Sequence, residues 1–276
     1  MHAFYVTYCV TAAIDYRLAP ENVYPAALID ALSAYSYLLD PPNGSKKYKP
    51  SQISFVGDSA GGGLAIAAML YCRNTGMFPI PGCVATMSPW LDLTQSLPSW
   101  KLNHLYDYLP HTGRDPKYFT ETRSNLYTTH DSQLTDEYVS PAFSSETKIP
   151  IPPTLIQVGG AERLRDDGIY FSRKIFTNSG VTLEIYQDQP HVFQVMSFFH
   201  PLSKLALQRL GAFIRENSGG SWSVEAPHGG SFWISNGPEK DISLIENAEA
   251  LIDDGCIALI DAGIWKISDG TITLQY

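Results

Sequence analysis

The chain has 276 residues, of which 44% are hydrophobic and 17% charged, and its formal net charge is -9. This length suffices for one large α/β domain, with or without a smaller appendage. The Lys and Arg residues are scattered, which argues against a nucleic-acid partner, and no apolar run reaches the roughly 18 residues of a membrane span. The four cysteines have neither CxxC spacing nor histidines at zinc-site intervals, so the sequence predicts no metal and no cofactor.

Predicted strands and helices alternate along most of the chain. In chain order they are an extended run (10–16), a helix (25–39), a strand (53–56), a helix (60–72), a strand (82–87), an irregular aromatic region (89–138), a strand (153–158), a helix (167–179), a strand (181–186) and a helix (202–216). Alternating β and α units of this length predict an α/β fold. We expect a mostly parallel sheet with helices on both faces.

The composition changes at the Gly/Ser-rich residues 217–221. We therefore predict a main domain over residues 1–218 and an acidic C-terminal extension over 219–276, which carries -7 of the net charge of -9. Residues 264–274 alternate in polarity around Asp269-Gly270, a pattern that favours a two-residue hairpin turn. The extension is thus predicted to be a small β-containing appendage.

Ser59 lies in the motif Gly57-Asp58-Ser59-Ala60-Gly61, between a predicted strand and a predicted helix. Glycines two residues before and after the serine allow a sharp turn that presents the hydroxyl at its apex. The Ala60 N–H falls at the helix N-terminus, where it can donate to a developing oxyanion. This context predicts a nucleophilic serine, whereas the motif alone is a weak signal.

Several motifs occur in a fixed order from residue 10 to about residue 215. They are Asp15-Tyr16-Arg17-Leu18-Ala19-Pro20-Glu21, Tyr24-Pro25-Ala26-Ala27, the Ser59 motif, Ser88-Pro89-Trp90-Leu91-Asp92-Leu93, Ser140-Pro141, residues 162–167 and His191-Val192-Phe193. In these motifs the chain resembles the hormone-sensitive lipase family of α/β-hydrolases, which includes bacterial arylesterases and fungal steryl acetyl hydrolases. The resemblance implies an α/β-hydrolase fold and the hydrolysis of carboxylic esters.

The same resemblance implies a catalytic triad. In this fold the acid and the histidine follow the serine on loops after later strands, and the matching positions are Glu162 and His191. Most relatives have Asp at the position of Glu162. Asp166 is therefore an alternative acid or a supporting residue, and otherwise it belongs with Asp167 to the acidic first turn of a helix.

The resemblance also suggests residues around the triad. Asp58 is expected to brace the active-site loops, with plain surface charge as the alternative. Trp90, Tyr106 and Tyr108, which belong to the aromatic region, and Phe193, next to His191, are candidate substrate contacts, with ordinary packing as the alternative.

One family feature has no counterpart. The family carries a His-Gly-Gly-Gly loop, which supplies further oxyanion donors, some tens of residues before the Asp15 motif, and only fourteen residues precede Asp15. We therefore expect an N-terminally shortened member, with a fold incomplete at that end and activity that is weak or absent. The compartment stays open: the cytoplasm is the default, and a signal or anchor would have been lost with the missing segment.

Three functions follow from these residues. The leading prediction is a serine esterase that acts through an acyl-enzyme on short or medium acyl esters, with a small-molecule ester as its partner. The alternatives are a catalytically inactive binding protein on the same fold, and arylformamide hydrolysis by the same triad.

Overall fold

The computed structural model describes most of the chain. The described residues are 9–42, 44–110, 124–145, 150–175, 180–218, 230–236, 240–241, 265–268 and 271–274. Much of the predicted C-terminal extension, the turn at 269–270 and the end of the helix predicted over 167–179 lie outside them.

A six-stranded sheet forms the centre of the fold. Its strands are β1 (Ser54–Asp58), β2 (Cys83–Met87), β3 (Thr154–Gly159), β4 (Val181–Tyr186), β5 (Gly230–Ile234) and β6 (Lys240–Asp241). They lie side by side in chain order, with β1 to β5 parallel and β6 antiparallel. The predicted parallel α/β sheet is therefore confirmed. Because parallel strands end at the same edge, the loops after β1, β2, β3 and β4 lie near one another.

Five α-helices accompany the sheet in the described part of the chain. They are α1 (Ala26–Leu39), α2 (Ser59–Thr75), α3 (Ser99–Leu102), α4 (Arg165–Ile175) and α5 (Pro201–Asn217). Helix α2 is rich in Ala and Gly, which lets it approach β1 and β2 closely, and it ends at Gly76 in the left-handed conformation. Apart from the short α3, each helix matches a prediction to within a few residues.

The sheet is covered on both faces, as predicted. Val84 and Ile156 point into a core that includes residues of α2 and α4. Their neighbours Ala85 and Leu155 point to the opposite face, where Leu210 of α5 packs on them. This alternation follows from the two-residue period of a strand, and it buries β3 completely and β2 except at Met87.

The C-terminal residues differ from the predicted appendage at one point. Strand β5 pairs in parallel with β4, so this segment continues the main sheet. The physical reason is apolar burial, because Trp233 lies in the main core and Ile234 packs against Tyr186 and Leu202. The predicted hairpin is present as β7 (Trp265–Ser268) paired antiparallel with β8 (Thr271–Leu274).

The start of the described chain also differs from expectation. Residues 10–16 are extended in the prediction but form no strand, and most of them are exposed. Arg17 is attached instead to α1, where its Nη2 lies 2.8 Å from Asp30 Oδ1. None of the helices in the described part of the chain combines the length and the apolar character needed to cross a bilayer.

Candidate active site

Ser59 occupies a sharp turn between β1 and α2. Asp58 is extended, whereas Ser59 has φ +52°, a left-handed value that is rare for a non-glycine residue. Such strain costs on the order of 1–3 kcal/mol and persists only where neighbouring structure holds it. The turn places the Ser59 hydroxyl at the carboxyl edge of the sheet and Ala60 in the first turn of α2.

The turn depends on Gly57 more than on Gly61. A Cβ atom at Gly57 would lie 2.3 Å from the Gly61 carbonyl oxygen, which no folded backbone tolerates. A Cβ atom at Gly61 would meet nothing closer than the Tyr16 hydroxyl at 3.8 Å. The predicted steric need for two flanking glycines is therefore met at Gly57 and absent at Gly61.

His191 lies directly beside Ser59. Its Nε2 is 2.9 Å from Ser59 Oγ, a normal hydrogen-bond distance for a base and its nucleophile. The two residues are 132 positions apart, and the contact arises because the loops after β1 and β4 meet at one edge of the sheet. His191 is only 3% exposed, so its ring is fixed in place by its surroundings.

Glu162 lies on the other side of the imidazole. Its Oε2 is 3.5 Å from His191 Nδ1, longer than a standard hydrogen bond. Among the described residues, neither carboxylate oxygen of Glu162 has a partner of standard hydrogen-bond geometry. Such looseness is common in unliganded sites, where catalytic hydrogen bonds tighten on substrate binding.

The Glu162 carboxyl is fully buried. Burial raises its pKa above the ordinary value, whereas contacts with His191 and Ser88 lower the pKa and the charge of Asp107 raises it. A carboxylate in this position needs its histidine neighbour to stay ionised, because a buried charge without a partner is costly. The pair is thus electrostatically coupled even at 3.5 Å.

The Asp166 carboxylate is bound by Ser99 and Arg165 and not by His191. Its Oδ2 accepts a hydrogen bond from the Ser99 N–H at 2.7 Å, and its Oδ1 pairs with Arg165 Nε at 2.9 Å. Its neighbour Asp167 accepts hydrogen bonds from the Leu91 and Asp92 amides. Both residues lie in the first turn of α4, as the alternative prediction has it, and their buried carboxylates fasten other loops to the start of that helix.

Ser88 joins the loop after β2 to the segment that carries His191. Its Oγ accepts a hydrogen bond from the Val192 N–H at 2.9 Å, next to His191. Ser88 and Val192 both have left-handed backbones, with φ +49° and +47°. Left-handed Ser59, Ser88 and Val192 thus surround one site, the clustering expected where backbone strain serves function.

Asp107 was not predicted from the sequence. Its carboxylate accepts hydrogen bonds from the backbone amides of Arg163, at 2.7 Å, and of His191, at 3.1 Å. It lies in the aromatic region, and nothing in its local sequence indicates a role, because its partners are 56 and 84 residues away.

The predicted substrate contacts divide into three groups. Tyr108 is 62% exposed with its ring centroid 6.0 Å from that of His191, so it lines the approach to the triad. Tyr106, two positions before Tyr108 in the chain, is also exposed. Trp90 is partly buried, and its Nε1 donates a hydrogen bond to the Asp92 carbonyl. Phe193 corrects the prediction, because it is fully buried against Tyr186 and has no surface to offer a substrate.

Two further features concern charge and ligands. Asp58 is exposed, and its charge contributes to the raised pKa values of Tyr16 and Tyr108, so it lies at the mouth of the site near both rings. Across the described residues, no group of three or more His, Cys, Asp or Glu side chains is arranged to hold a metal ion.

Comparisons with known proteins identify the family of this chain. Residues 5–195 match the model of a family described as alpha/beta hydrolase fold, and the chain belongs to that family. An acetyl-hydrolase of Streptomyces hygroscopicus is 32% identical over 215 residues, which are 75% of this chain and 65% of that protein. The chain thus spans less than two thirds of this curated relative.

Crystal structures narrow the class. An esterase/lipase from an uncultured bacterium is similar with a TM-score of 0.66 and 33% identity, covering 79% of this chain and 69% of that one. An esterase described as bacterial hormone-sensitive lipase family gives a TM-score of 0.63 and 34% identity, with 74% and 65% coverage. The resemblance to the hormone-sensitive lipase family predicted from the motifs is therefore confirmed.

Proposed function

We propose that this chain hydrolyses carboxylic esters with Ser59 as nucleophile, His191 as general base and Glu162 as the acid that orients the histidine. The observation that carries the proposal is the 2.9 Å contact between His191 Nε2 and Ser59 Oγ. Glu162, at 3.5 Å from the other ring nitrogen, is placed to hold the proton on Nδ1 and to stabilise the imidazolium that forms.

The reaction proceeds in two halves. Ser59 Oγ attacks the ester carbonyl carbon while its proton passes to His191 Nε2. The tetrahedral intermediate then collapses, and the alcohol leaves with that proton. Water next attacks the acyl-enzyme, again losing a proton to His191. Collapse releases the carboxylic acid and returns the proton to Ser59.

The developing oxyanion needs hydrogen-bond donors. We assign the Ala60 N–H to this role, since it lies at the N-terminus of α2 where unpaired amides and the helix dipole favour negative charge. Loss of one oxyanion donor lowers kcat by about 100 to 1000-fold. If the Ala60 amide acts alone, turnover will be slow by about that factor, although Ser59 still reacts with strong electrophiles.

The substrate class is inferred from the relatives and from the entrance to the site. The Streptomyces relative is named an acetyl-hydrolase, and Tyr108 offers exposed aromatic surface beside the His191 ring. These features support esters with short or medium acyl groups. The negative charge of Asp58 at the entrance disfavours ester substrates that carry a negative charge.

The test combines a covalent probe with chromogenic esters. A fluorophosphonate, whose fluoride is displaced by an activated serine, should label the wild-type protein and not Ser59→Ala. Turnover of p-nitrophenyl acetate and butyrate should depend on the same hydroxyl. Absence of labelling in the folded wild-type chain would contradict the proposal and favour a non-catalytic binding protein, while preference for an aryl formamide would change the substrate class.

A further inference from the structure

The Asp107 carboxylate lies between the two loops that carry the proposed acid and base. Its Oδ2 accepts the Arg163 N–H at 2.7 Å, and its Oδ1 accepts the His191 N–H at 3.1 Å and the Tyr108 N–H at 2.8 Å. Asp107 is 9% exposed, so water competes little for these bonds. Hydrogen bonds to an ionised acceptor are roughly twice as strong as neutral ones.

Each of these three amides bears on the chemistry of the site. One belongs to His191 itself. Another belongs to Arg163, the residue directly after Glu162. The third belongs to Tyr108, whose ring lies beside the His191 ring. A single carboxylate therefore fixes the backbone at the base, at the acid loop and at a residue that lines the entrance.

The connection between the aromatic region and the acid loop is reciprocal. The Arg163 side chain reaches back, with its Nε donating to the Trp100 carbonyl at 2.7 Å and its guanidinium 3.8 Å from the Trp100 ring centroid. Asn103 Nδ2 donates to the Glu162 carbonyl at 2.8 Å. The segment around Asp107 is thus anchored on the same loop whose backbone it holds.

We propose that Asp107 is a positioning residue for the triad, holding the Glu162 and His191 loops at the spacing that the reaction needs. This inference rests on the proposed function. At 3.5 Å the contact between the Glu162 carboxylate and the His191 ring is too long to fix both side chains and their loops. The hydrogen bonds from the backbone amides of Arg163 and His191 to Asp107 supply that restraint. A displacement of about 1 Å at a catalytic group can cost about 100-fold in rate.

The variants are Asp107→Asn and Asp107→Ala, with Asp92→Asn as the matched control. Asp92 is also buried and accepts a backbone amide on each oxygen, from Thr94 and Ser96, but those amides belong to a turn without a residue of the proposed triad. In Asp107→Asn an amide nitrogen replaces one acceptor and faces a backbone N–H, whereas Asp107→Ala removes both acceptors.

The first readout is fluorophosphonate labelling of Ser59 as a function of probe concentration, normalised to the folded fraction. We expect the maximal rate constant to fall about 10-fold in Asp107→Asn and about 100-fold in Asp107→Ala. The concentration for half-maximal rate should stay unchanged, and Asp92→Asn should label like the wild type. Equal losses in Asp107→Asn and Asp92→Asn, or a wild-type rate in both Asp107 variants, would overturn the proposal.

The second readout does not depend on activity. Amide hydrogen exchange should accelerate in peptides that contain Arg163 and His191 in both Asp107 variants and stay unchanged there in Asp92→Asn. If the probe does not label the wild type, the proposed function fails. The amide hydrogen exchange rates then show by themselves whether Asp107 holds the two loops. Unchanged exchange at both loops would rule the positioning role out in either case.

Discussion

The proposed acid and base lie on buried loops, whereas the proposed nucleophile lies at the end of the outermost strand of the described sheet. Glu162 and His191 are almost completely buried. Their loops are joined to neighbouring segments by Asp107, which accepts hydrogen bonds from the Arg163 and His191 amides, and by Ser88 Oγ, which accepts one from the Val192 amide. Strand β1 has one sheet neighbour among the described residues, β2, and its Val56 is 44% exposed.

Ser59 is therefore positioned in a different way from Glu162 and His191. The Ser59 turn depends on a local steric condition, the close approach of Gly57 to the Gly61 carbonyl. The acid and base loops depend on several long-range hydrogen bonds that share the task. We therefore expect single substitutions to break the turn abruptly and to loosen the loops by degrees.

Removal of the base should have the largest effect. In His191→Ala the Ser59 hydroxyl loses the acceptor of its proton, and we expect the labelling rate to fall about 10,000-fold, the upper range for general-base catalysis. The matched control is His104→Ala, because His104 is exposed and contacts the Lys101 carbonyl away from the triad. A loss of less than about tenfold in His191→Ala would remove this histidine from the mechanism.

Steric pressure on the turn should have the next largest effect. Gly57→Ala places a methyl group 2.3 Å from the Gly61 carbonyl oxygen, so we expect the free energy of unfolding to fall by about 3 kcal/mol and labelling to be lost. Urea denaturation followed by circular dichroism measures the change. Gly61→Ala, with its nearest atom at 3.8 Å, should remain within about 1 kcal/mol of the wild type. Equal destabilisation of the two variants would contradict this account of the turn.

The buried carboxyl of Asp167, in the first turn of α4 after the loop that carries Glu162, should affect the pH dependence of stability. Burial raises the pKa of Asp167 well above its ordinary value, with Asp92 adding to the rise. The folded state therefore binds the proton more tightly than the unfolded state. Stability is then lost as pH increases from the ordinary carboxyl pKa through the raised one.

Asp167→Asn removes this titration. The Asn carbonyl oxygen can still accept the Leu91 and Asp92 amides, as Asp167 Oδ2 does. Urea denaturation from pH 4 to pH 8 should show the variant gaining stability relative to the wild type as pH rises. A difference between the two proteins that stays constant across this range would show that Asp167 does not titrate on unfolding.

The sequence predicted those features that repeat or that are local. The alternation of β-rich runs and helical segments predicted β1 to β4 and most of the helices. The resemblance pointed to Glu162 and His191, and in the structure Ser59 and Glu162 lie on opposite sides of the His191 imidazole.

Features that depend on distant contacts were not predictable. The role proposed for Asp107 arises from partners 56 and 84 residues away, and the burial of Phe193 from a contact with Tyr186 across a turn. Strand β5 was placed in an appendage because a polar stretch precedes it, but only the main core can bury Trp233. The composition around a residue does not indicate which distant element of the fold that residue will contact.

The smallest expected effect is the change in stability due to the left-handed backbone strain at Ser59. Its size shows how much strain energy the rest of the turn compensates. Ser59→Ala and Ser59→Gly both remove the hydroxyl and its contact with His191, so their difference isolates the backbone. Glycine adopts φ +52° without a Cβ penalty, whereas alanine does not. We expect Ser59→Gly to be the more stable of the two by about 1 kcal/mol in urea denaturation.

The same pair of substitutions at Ser203 provides the control. Ser203 is buried in the first turn of α5, a helical position where glycine is less favourable than alanine by at most about 1 kcal/mol. The order of stability of the Gly and Ala variants should therefore reverse between positions 59 and 203. If alanine is the more stable at both, the left-handed Ser59 conformation stores no appreciable strain, and the turn would be as relaxed as the helix that follows it.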